Sequence, residues 1–295
     1  MMNIRRFNLT DDGRVYMVSY ICDKSPEMPH MDKRPAVVVC PGGGYMMTSD
    51  REAEVIAVAF LAQGFNAFVV RYSVGEYAAY PNSLVDLSRA MKLIRENAEE
   101  FCIFTDKIAV CGFSAGGHLV ASLGTLWNDS EVREISGCLN EENKPNALIL
   151  CYPVITATKF LHEGSINVLM QNITDPDERK RYIDKLSCEK NVGGHTPPAF
   201  IVHTYADNDV AVENSLLFAN SLAENDIPFE LHIYQDGPHG IALGNHITYA
   251  GSLYYDDNFA AWINLSCKWL LKLFGDNTPE PMRPIAPYEN RAKGF

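Results

Sequence analysis

The run Gly112-Phe113-Ser114-Ala115-Gly116, followed by Gly117, sets a serine among small residues. A serine hydroxyl attacks a carbonyl only when a base takes its proton and when the turn that carries it holds the oxygen clear of the backbone. The run supplies the turn: it follows the apolar stretch Lys107 to Cys111, opens a helical pattern, and places Gly112 and Gly116 where strand and helix must close on each other. The plainer alternative is a tight strand-to-helix turn with an incidental serine. A second glycine run, Cys40-Pro41-Gly42-Gly43-Gly44-Tyr45, follows the apolar stretch Ala36 to Cys40. Three glycines in a row leave N–H groups unobstructed, so that two can point at one developing oxyanion, with the N–H of Ala115 as a further donor. Neither phosphate-cradling spacing, G-x-x-x-x-G-K-[ST] nor G-x-G-x-x-G, is present.

A serine nucleophile needs a base and an acid to orient that base, and one known chain order is Ser, then Asp or Glu, then His. His239, in Gly237-Pro238-His239-Gly240 after the stretch Phe229 to Tyr234, is the expected base. His118 is one helical turn beyond Ser114, His203 and His232 lie in strand patterns, His162 and His195 in a long insertion, and His30 ahead of the sheet; His246 is the remaining substitute. For the acid, Ala199 to His203 runs into Thr204-Tyr205-Ala206-Asp207-Asn208-Asp209. Asp207 is the expected partner because it lies nearer the strand end, and Asp209 is then free to cap a helix starting near Ala211.

These residues need a scaffold, and the hydropathy pattern describes one. Short β-branched runs alternate with helical periodicity, the signature of an α/β protein with a mostly parallel sheet. Strands are expected around Val15 to Cys22 and at 36–40, 66–70, 107–111, 147–151, 199–203 and 229–234. Helices are expected at 82–98, 115–126, 211–224 and 257–274, and one more begins at a Ser49-Asp50-Arg51-Glu52 capping box. The interval 153–198 is longer than a crossover requires, carries helical patterns of its own, and reads as a cap over the site or as a peripheral decoration. Residues 278–295, with Pro279, Pro281, Pro284 and Pro287, read as an extended arm packed on the body or reaching a second subunit of a homo-oligomer. No repeat or linker divides residues 1–295, so a single domain is expected.

With these pieces in place the chain resembles the α/β-hydrolase superfamily, within it the acetyl-xylan-esterase-like and hormone-sensitive-lipase-like bacterial carboxylesterases. The likeness runs from Val37 to Phe274 and rests on the Pro-Gly-Gly-Gly-Tyr loop, Ser49 to Glu52, Tyr80-Pro81 through Asp86 and Arg89, the Ser114 run to His118, the acid loop ending Val212-Glu213-Asn214-Ser215, and Gly237 to Gly240. It implies a Ser114–His239–Asp207 triad, an oxyanion hole from Gly43, Gly44 and Ala115, and hydrolysis of short acyl esters, often acetyl groups on plant-polysaccharide sugars. Cys40-Pro41 stands where lipase-like members place a His, which points to the carbohydrate-esterase side. Tyr45 and Tyr152 then stand where they could stack on a sugar ring, or they are packing.

The whole-chain numbers narrow the partners. In 295 residues, 25 Lys+Arg against 37 Asp+Glu give a net charge of −12, which repels nucleic acid in the absence of a basic patch. No run approaches a membrane span, and the N-terminus lacks the apolar centre of a signal peptide, so a soluble cytoplasmic protein is expected. The 8 cysteines form no C-x-x-C pair and read as buried thiols of a reducing compartment. The expected partner is a small-molecule ester, an acetylated oligosaccharide among them, with no metal or organic cofactor.

Overall fold

A computed structural model describes residues 2–275. The strands are β1 (Met2–Asn8), β2 (Tyr16–Cys22), β3 (Arg34–Cys40), β4 (Asn66–Arg71), β5 (Ile103–Phe113), β6 (Ala147–Cys151), β7 (Ala199–Thr204) and β8 (Phe229–Tyr234). They form one sheet in the order β1-β2-β4-β3-β5-β6-β7-β8. β1 and β2 run antiparallel to their neighbours, while β4, β3 and β5 through β8 are mutually parallel. The helices are α1 (Glu54–Ala62), α2 (Asn82–Glu96), α3 (Ala115–Leu126), α4 (Ser130–Ser136), α5 (Glu163–Leu169), α6 (Pro176–Leu186), α7 (Glu213–Glu224) and α8 (Trp262–Phe274).

The central strands carry apolar runs along their middles because both faces are covered. Val38, Val110, Leu148 and Ile201 point to the side of α2, α3 and α7, where Leu87, Leu119 and Phe218 meet them. Val37, Val39, Cys111 and Ile149 point to the other side, against Ile56 and Phe60 of α1 and Trp262 and Leu270 of α8. In such a sheet the loops at the C-terminal strand ends gather on one edge, and the glycine loop after β3, the serine turn after β5, the acid loop after β7 and the histidine loop after β8 all leave from there.

Two elements escaped the sequence pattern. β1 is polar and largely exposed, pairing from Met2↔Cys22 to Asn8↔Tyr16, so it has no apolar run to announce it. The seven-residue α4 is too short for periodicity; it is set by its caps, Asp129 accepting the N–H groups of Glu131 and Val132, and Gly137 ending it in the left-handed region at φ 72°. The capping-box expectation fails. Ser49 makes no side-chain cap, residues 50–52 form a single 3₁₀ turn, and α1 starts at Glu54, because the Glu52 carboxylate turns inward to another partner.

The insertion 153–198 contains α5, α6 and a 3₁₀ turn at 188–191. Its anchors lie on the flank of α3 and α4: Leu186 O accepts from His118 Nε2 at 2.8 Å, Cys188 Sγ meets Ser122 Oγ at 3.4 Å, and Lys185 reaches Glu131 at 2.9 Å. The expected arm at 278–295 lies outside the described residues. Among the described residues no helix is long and apolar enough to cross a membrane.

A close backbone approach at the serine turn tests the arrangement. A Cβ on Gly116 would lie 2.2 Å from Cys40 O and 2.4 Å from Pro41 O, and neither backbone oxygen can step aside. Gly116→Ala is expected to lower unfolding free energy by about 3 kcal/mol, read as a drop in the urea midpoint. Gly194→Ala, at a site with no atom within 4 Å of the new Cβ, should leave that midpoint unchanged.

Candidate active site

Ser114 stands between the end of β5 and the start of α3 with φ 52° and ψ −120°. A non-glycine residue there costs about 1–3 kcal/mol and persists only when its surroundings over-determine it. They do: Ser114 N–H donates to Cys151 O at 3.0 Å, and Ser114 O accepts from Val154 N–H at 3.1 Å. Small residues on both sides are compulsory, since a Cβ on Gly112 would lie 2.2 Å from Gly116 O. The turn leaves Ser114 Oγ on the floor of a cleft of about 700 Å³.

Ser114 Oγ donates to His239 Nε2 at 2.7 Å, and His239 Nδ1–H donates to Asp207 Oδ2 at 2.7 Å. The other oxygen of Asp207 accepts the N–H groups of Asp209 and Val210, each at 2.9 Å. Burial alone would raise the Asp207 pKa, but hydrogen bonds from His203 and His239 outweigh it and hold the carboxyl well below the usual range. Burial likewise opposes charge on His239, yet the Asp207 carboxylate overrides it and raises the imidazole above 6.5. Asp209 does not cap α7 as expected. That helix has no side-chain cap, and the Asp209 carboxylate turns to the cleft, 4.0 Å from His239 Nε2.

Gly43 and Gly44 line the cleft opposite, at φ 127° and 62°. A Cβ on Gly43 would lie 2.4 Å from Met47 O. Among the described residues the N–H groups of Gly43, Gly44 and Ala115 donate to no protein acceptor, and Ala115 N–H belongs to the positive end of α3. These are donors in want of an anion. Among the described residues no cluster of three or more His, Cys, Asp or Glu is placed to hold a metal ion.

The two tyrosines expected at the substrate are elsewhere. Tyr45 is 1% exposed, and its hydroxyl donates to His118 Nδ1 at 2.8 Å, the other nitrogen of that ring serving Leu186. Burial pushes His118 down to about 4, so the ring is neutral and can accept. Tyr152 is 1% exposed and packs edge-on to the His239 ring at 5.2 Å between centroids. Tyr45 follows the glycine run and Tyr152 the strand β6, both at positive φ of 60° and 37°, and neither lines the cleft.

Two residues that the sequence reading did not select complete the site. His203, excluded for lying in a strand, is fully buried, with Nε2 3.0 Å from Val210 O and 3.3 Å from Asp207 Oδ2, and Nδ1 2.8 Å from Ser215 Oγ. Its signal was a polar residue at the end of an otherwise apolar strand, four before the acid. Glu52 is 3% exposed. One of its oxygens accepts Gly42 N–H at 2.9 Å and the other accepts Tyr152 O–H at 2.8 Å. Tyr152 Oη in turn accepts Ala242 N–H at 2.9 Å, while Arg51 donates to Gly240 O at 3.0 Å. Arg51 and Glu52 thereby tie the glycine loop to the histidine loop. Burial raises the Glu52 pKa against the hydrogen bonds from Tyr152 and Gly42 that oppose it.

Comparison with known proteins places the chain in a family. The family model described as BD-FAE matches residues 25–222. An acetylxylan esterase of Xylanibacter ruminicola is 32% identical over 255 residues, covering 84% of this chain and 48% of that protein. Among solved structures, MGS-M1, an alpha/beta hydrolase enzyme from a Medee basin deep-sea metagenome library, superposes with a TM-score of 0.75 at 36% identity, covering 92% of this chain and 98% of that one. An acetyl ester-xyloside bifunctional hydrolase from Caldicellulosiruptor lactoaceticus superposes with a TM-score of 0.73 at 36% identity and 88% coverage of each chain. The chain spans about a third to a half of the length of curated relatives it matches.

Two measurements follow from the geometry. If His239 acts as base it must be neutral, so kcat/KM on an ester should fall as pH drops through a value above 6.5, with no further limb from Asp207 down to pH 5. Tyr152→Phe leaves Ala242 N–H and one Glu52 oxygen unpaired, at a cost of about 2 kcal/mol. Loss of kcat with KM little changed is the expected signature, since the tyrosine does not line the cleft.

Proposed function

The chain belongs to the BD-FAE family and has the α/β-hydrolase fold, and from that premise we propose that it is a serine carboxylesterase removing short acyl groups, acetyl above all, from small sugars or xylo-oligosaccharides. The observation that carries the reading is the unbroken run of two 2.7 Å hydrogen bonds from Ser114 through His239 to the buried carboxylate of Asp207, beside the N–H groups of Gly43, Gly44 and Ala115, which have no acceptor among the described residues.

In this mechanism His239 Nε2 takes the Ser114 proton as Oγ attacks the ester carbonyl. Asp207 holds the ring in the tautomer that has Nε2 free and balances the imidazolium that forms. The N–H groups of Gly43, Gly44 and Ala115 receive the oxyanion, whose charge develops at the end of α3 where the helix dipole favours it. The tetrahedral adduct collapses by breaking the bond to the alcohol, His239 gives that oxygen its proton, and a water activated by the same ring releases the acid. The acetylated sugar as substrate class is supported by the acetylxylan esterase and acetyl ester-xyloside hydrolase among its relatives. Polar side chains in the cleft lining, Arg51, His162, Asn208 and Asp209 beside Met47 and Tyr254, are compatible with the same class.

Replacement of Ser114 by Ala is expected to cut p-nitrophenyl acetate hydrolysis by at least ~10³-fold and to abolish labelling by a fluorophosphonate probe, with the unfolding midpoint preserved. Wild-type turnover in that variant would overturn the assignment. Acetylated xylo-oligosaccharides should be cleaved in preference to aminoacyl amides of similar size.

A further inference from the structure

The mechanism leaves one charged group in the cleft without a task. Asp207 is the carboxylate bonded to His239, yet Asp209, two residues on, sends its side chain to the same ring from the open side. Its Oδ2 lies 4.0 Å from His239 Nε2 and its Oδ1 3.7 Å from His162 Nε2, with 62% of the side chain exposed. Among the described residues it accepts no hydrogen bond; its backbone N–H is what Asp207 uses. The carboxylate is thus held beside the reacting atoms by its main chain, with both oxygens available.

His239 Nε2 is the atom that must protonate the departing alcohol, so the leaving oxygen sits within about 3 Å of it. In a polyol the hydroxyl on the adjacent carbon lies about 3 Å from that leaving oxygen, a separation equal to a hydrogen-bond length. A carboxylate oxygen 4.0 Å from Nε2 is therefore within reach of that neighbouring hydroxyl. An ionised carboxylate only accepts, and a hydroxyl can donate, so the pair is complementary in sign as well as in distance. His162 completes the wall. Its Nδ1 accepts from Ser165 N–H at 3.2 Å, which leaves Nε2 with the proton, directed at Asp209 and free to meet the oxygen of the same hydroxyl.

We propose that Asp209, with His162 beside it, is a specificity-determining residue that selects esters whose leaving alcohol carries a hydroxyl on the carbon next to the ester oxygen. The inference rests on the esterase reading above and deepens it: the recognised class is the monoacylated vicinal diol, of which a partly acetylated sugar is one member. It also accounts for a carboxylate at the mouth of a site that stabilises an oxyanion. An anionic alcohol is repelled there, whereas a diol supplies the donor that the carboxylate lacks.

The test is a matched pair of esters, ethylene glycol monoacetate and its methyl-capped form 2-methoxyethyl acetate, which differ only in whether the neighbouring oxygen can donate. The wild-type protein should favour the free hydroxyl in kcat/KM by about tenfold, the size expected for one hydrogen bond to a charged group. Asp209→Ala should bring the ratio close to one, and Asp209→Asn, which keeps the shape and loses the charge, should give an intermediate value. A ratio that is unchanged in both variants, or equal losses on both esters, overturns the proposal and assigns Asp209 to the support of His239 alone. Hydrolysis of neither ester by the wild-type protein, together with failure of Ser114 to take a fluorophosphonate label, overturns the esterase reading itself, a result distinct from a failed discrimination.

Discussion

A carboxylate with no exposed surface has to be surrounded by donors or give up its charge. Asp207 meets that condition with four: the N–H groups of Asp209 and Val210 on one oxygen, His239 at 2.7 Å and His203 at 3.3 Å on the other. Each donor fixes a different part of the molecule. His203 belongs to β7 and is itself pinned by Ser215 at the start of α7, the two amides shape the acid loop, and His239 brings the loop beyond β8. Keeping that one charge in the interior therefore aligns three consecutive elements and delivers an imidazole to Ser114.

A second buried carboxylate organises the opposite wall by contrary means. Glu52 is pushed toward its neutral form by burial, and what it holds is backbone: Gly42 directly and Ala242 through Tyr152. The glycine loop and the histidine loop, about two hundred residues apart in sequence, are joined across this bridge and by Arg51 to Gly240. Gly43, Tyr45, Ser114, Tyr152 and Ala242, in the segments that frame the cleft, all take positive φ. Strain of this kind needs a scaffold that over-determines it, and a sheet covered on both faces is such a scaffold.

The legible part of the protein is the part whose physics is local. Buried parallel strands read as apolar runs, and Ser114, Asp207 and His239 were recognisable because each sits in a loop at a strand end with its own spacing. The glycines of the serine turn could be read from sequence because a side chain there would meet a backbone oxygen at 2.2 Å. Residues whose roles depend on long-range partners were not legible. Glu52 resembled a helix cap, its true partner Tyr152 being a hundred residues away; His203 resembled a strand residue; and Tyr45 and Tyr152 resembled sugar platforms because sequence proximity to a motif says nothing of the direction a side chain takes. β1 and α4 were invisible for the same reason, being held by pairing and caps rather than by an apolar period.

The clasp of Tyr45, His118 and Leu186 gives the fold an acid limit that is separate from the chemistry of its cleft. His118 must stay neutral to accept from the tyrosine, and its pKa falls from 6.5 to about 4 in the folded protein. Unfolded chains bind that proton first, so stability drains away as pH falls below 6.5 and goes on doing so until about 4, where the folded imidazole charges too. The total comes to ~3 kcal/mol for a single ring. Tyr45 of the glycine loop and Leu186 of the insertion meet on that one ring, and protonation removes the nitrogen that accepts from Tyr45. Acid thus reaches this molecule at two histidines, His239 in the cleft, whose pKa is raised above 6.5, and the interior His118, whose pKa is lowered to about 4.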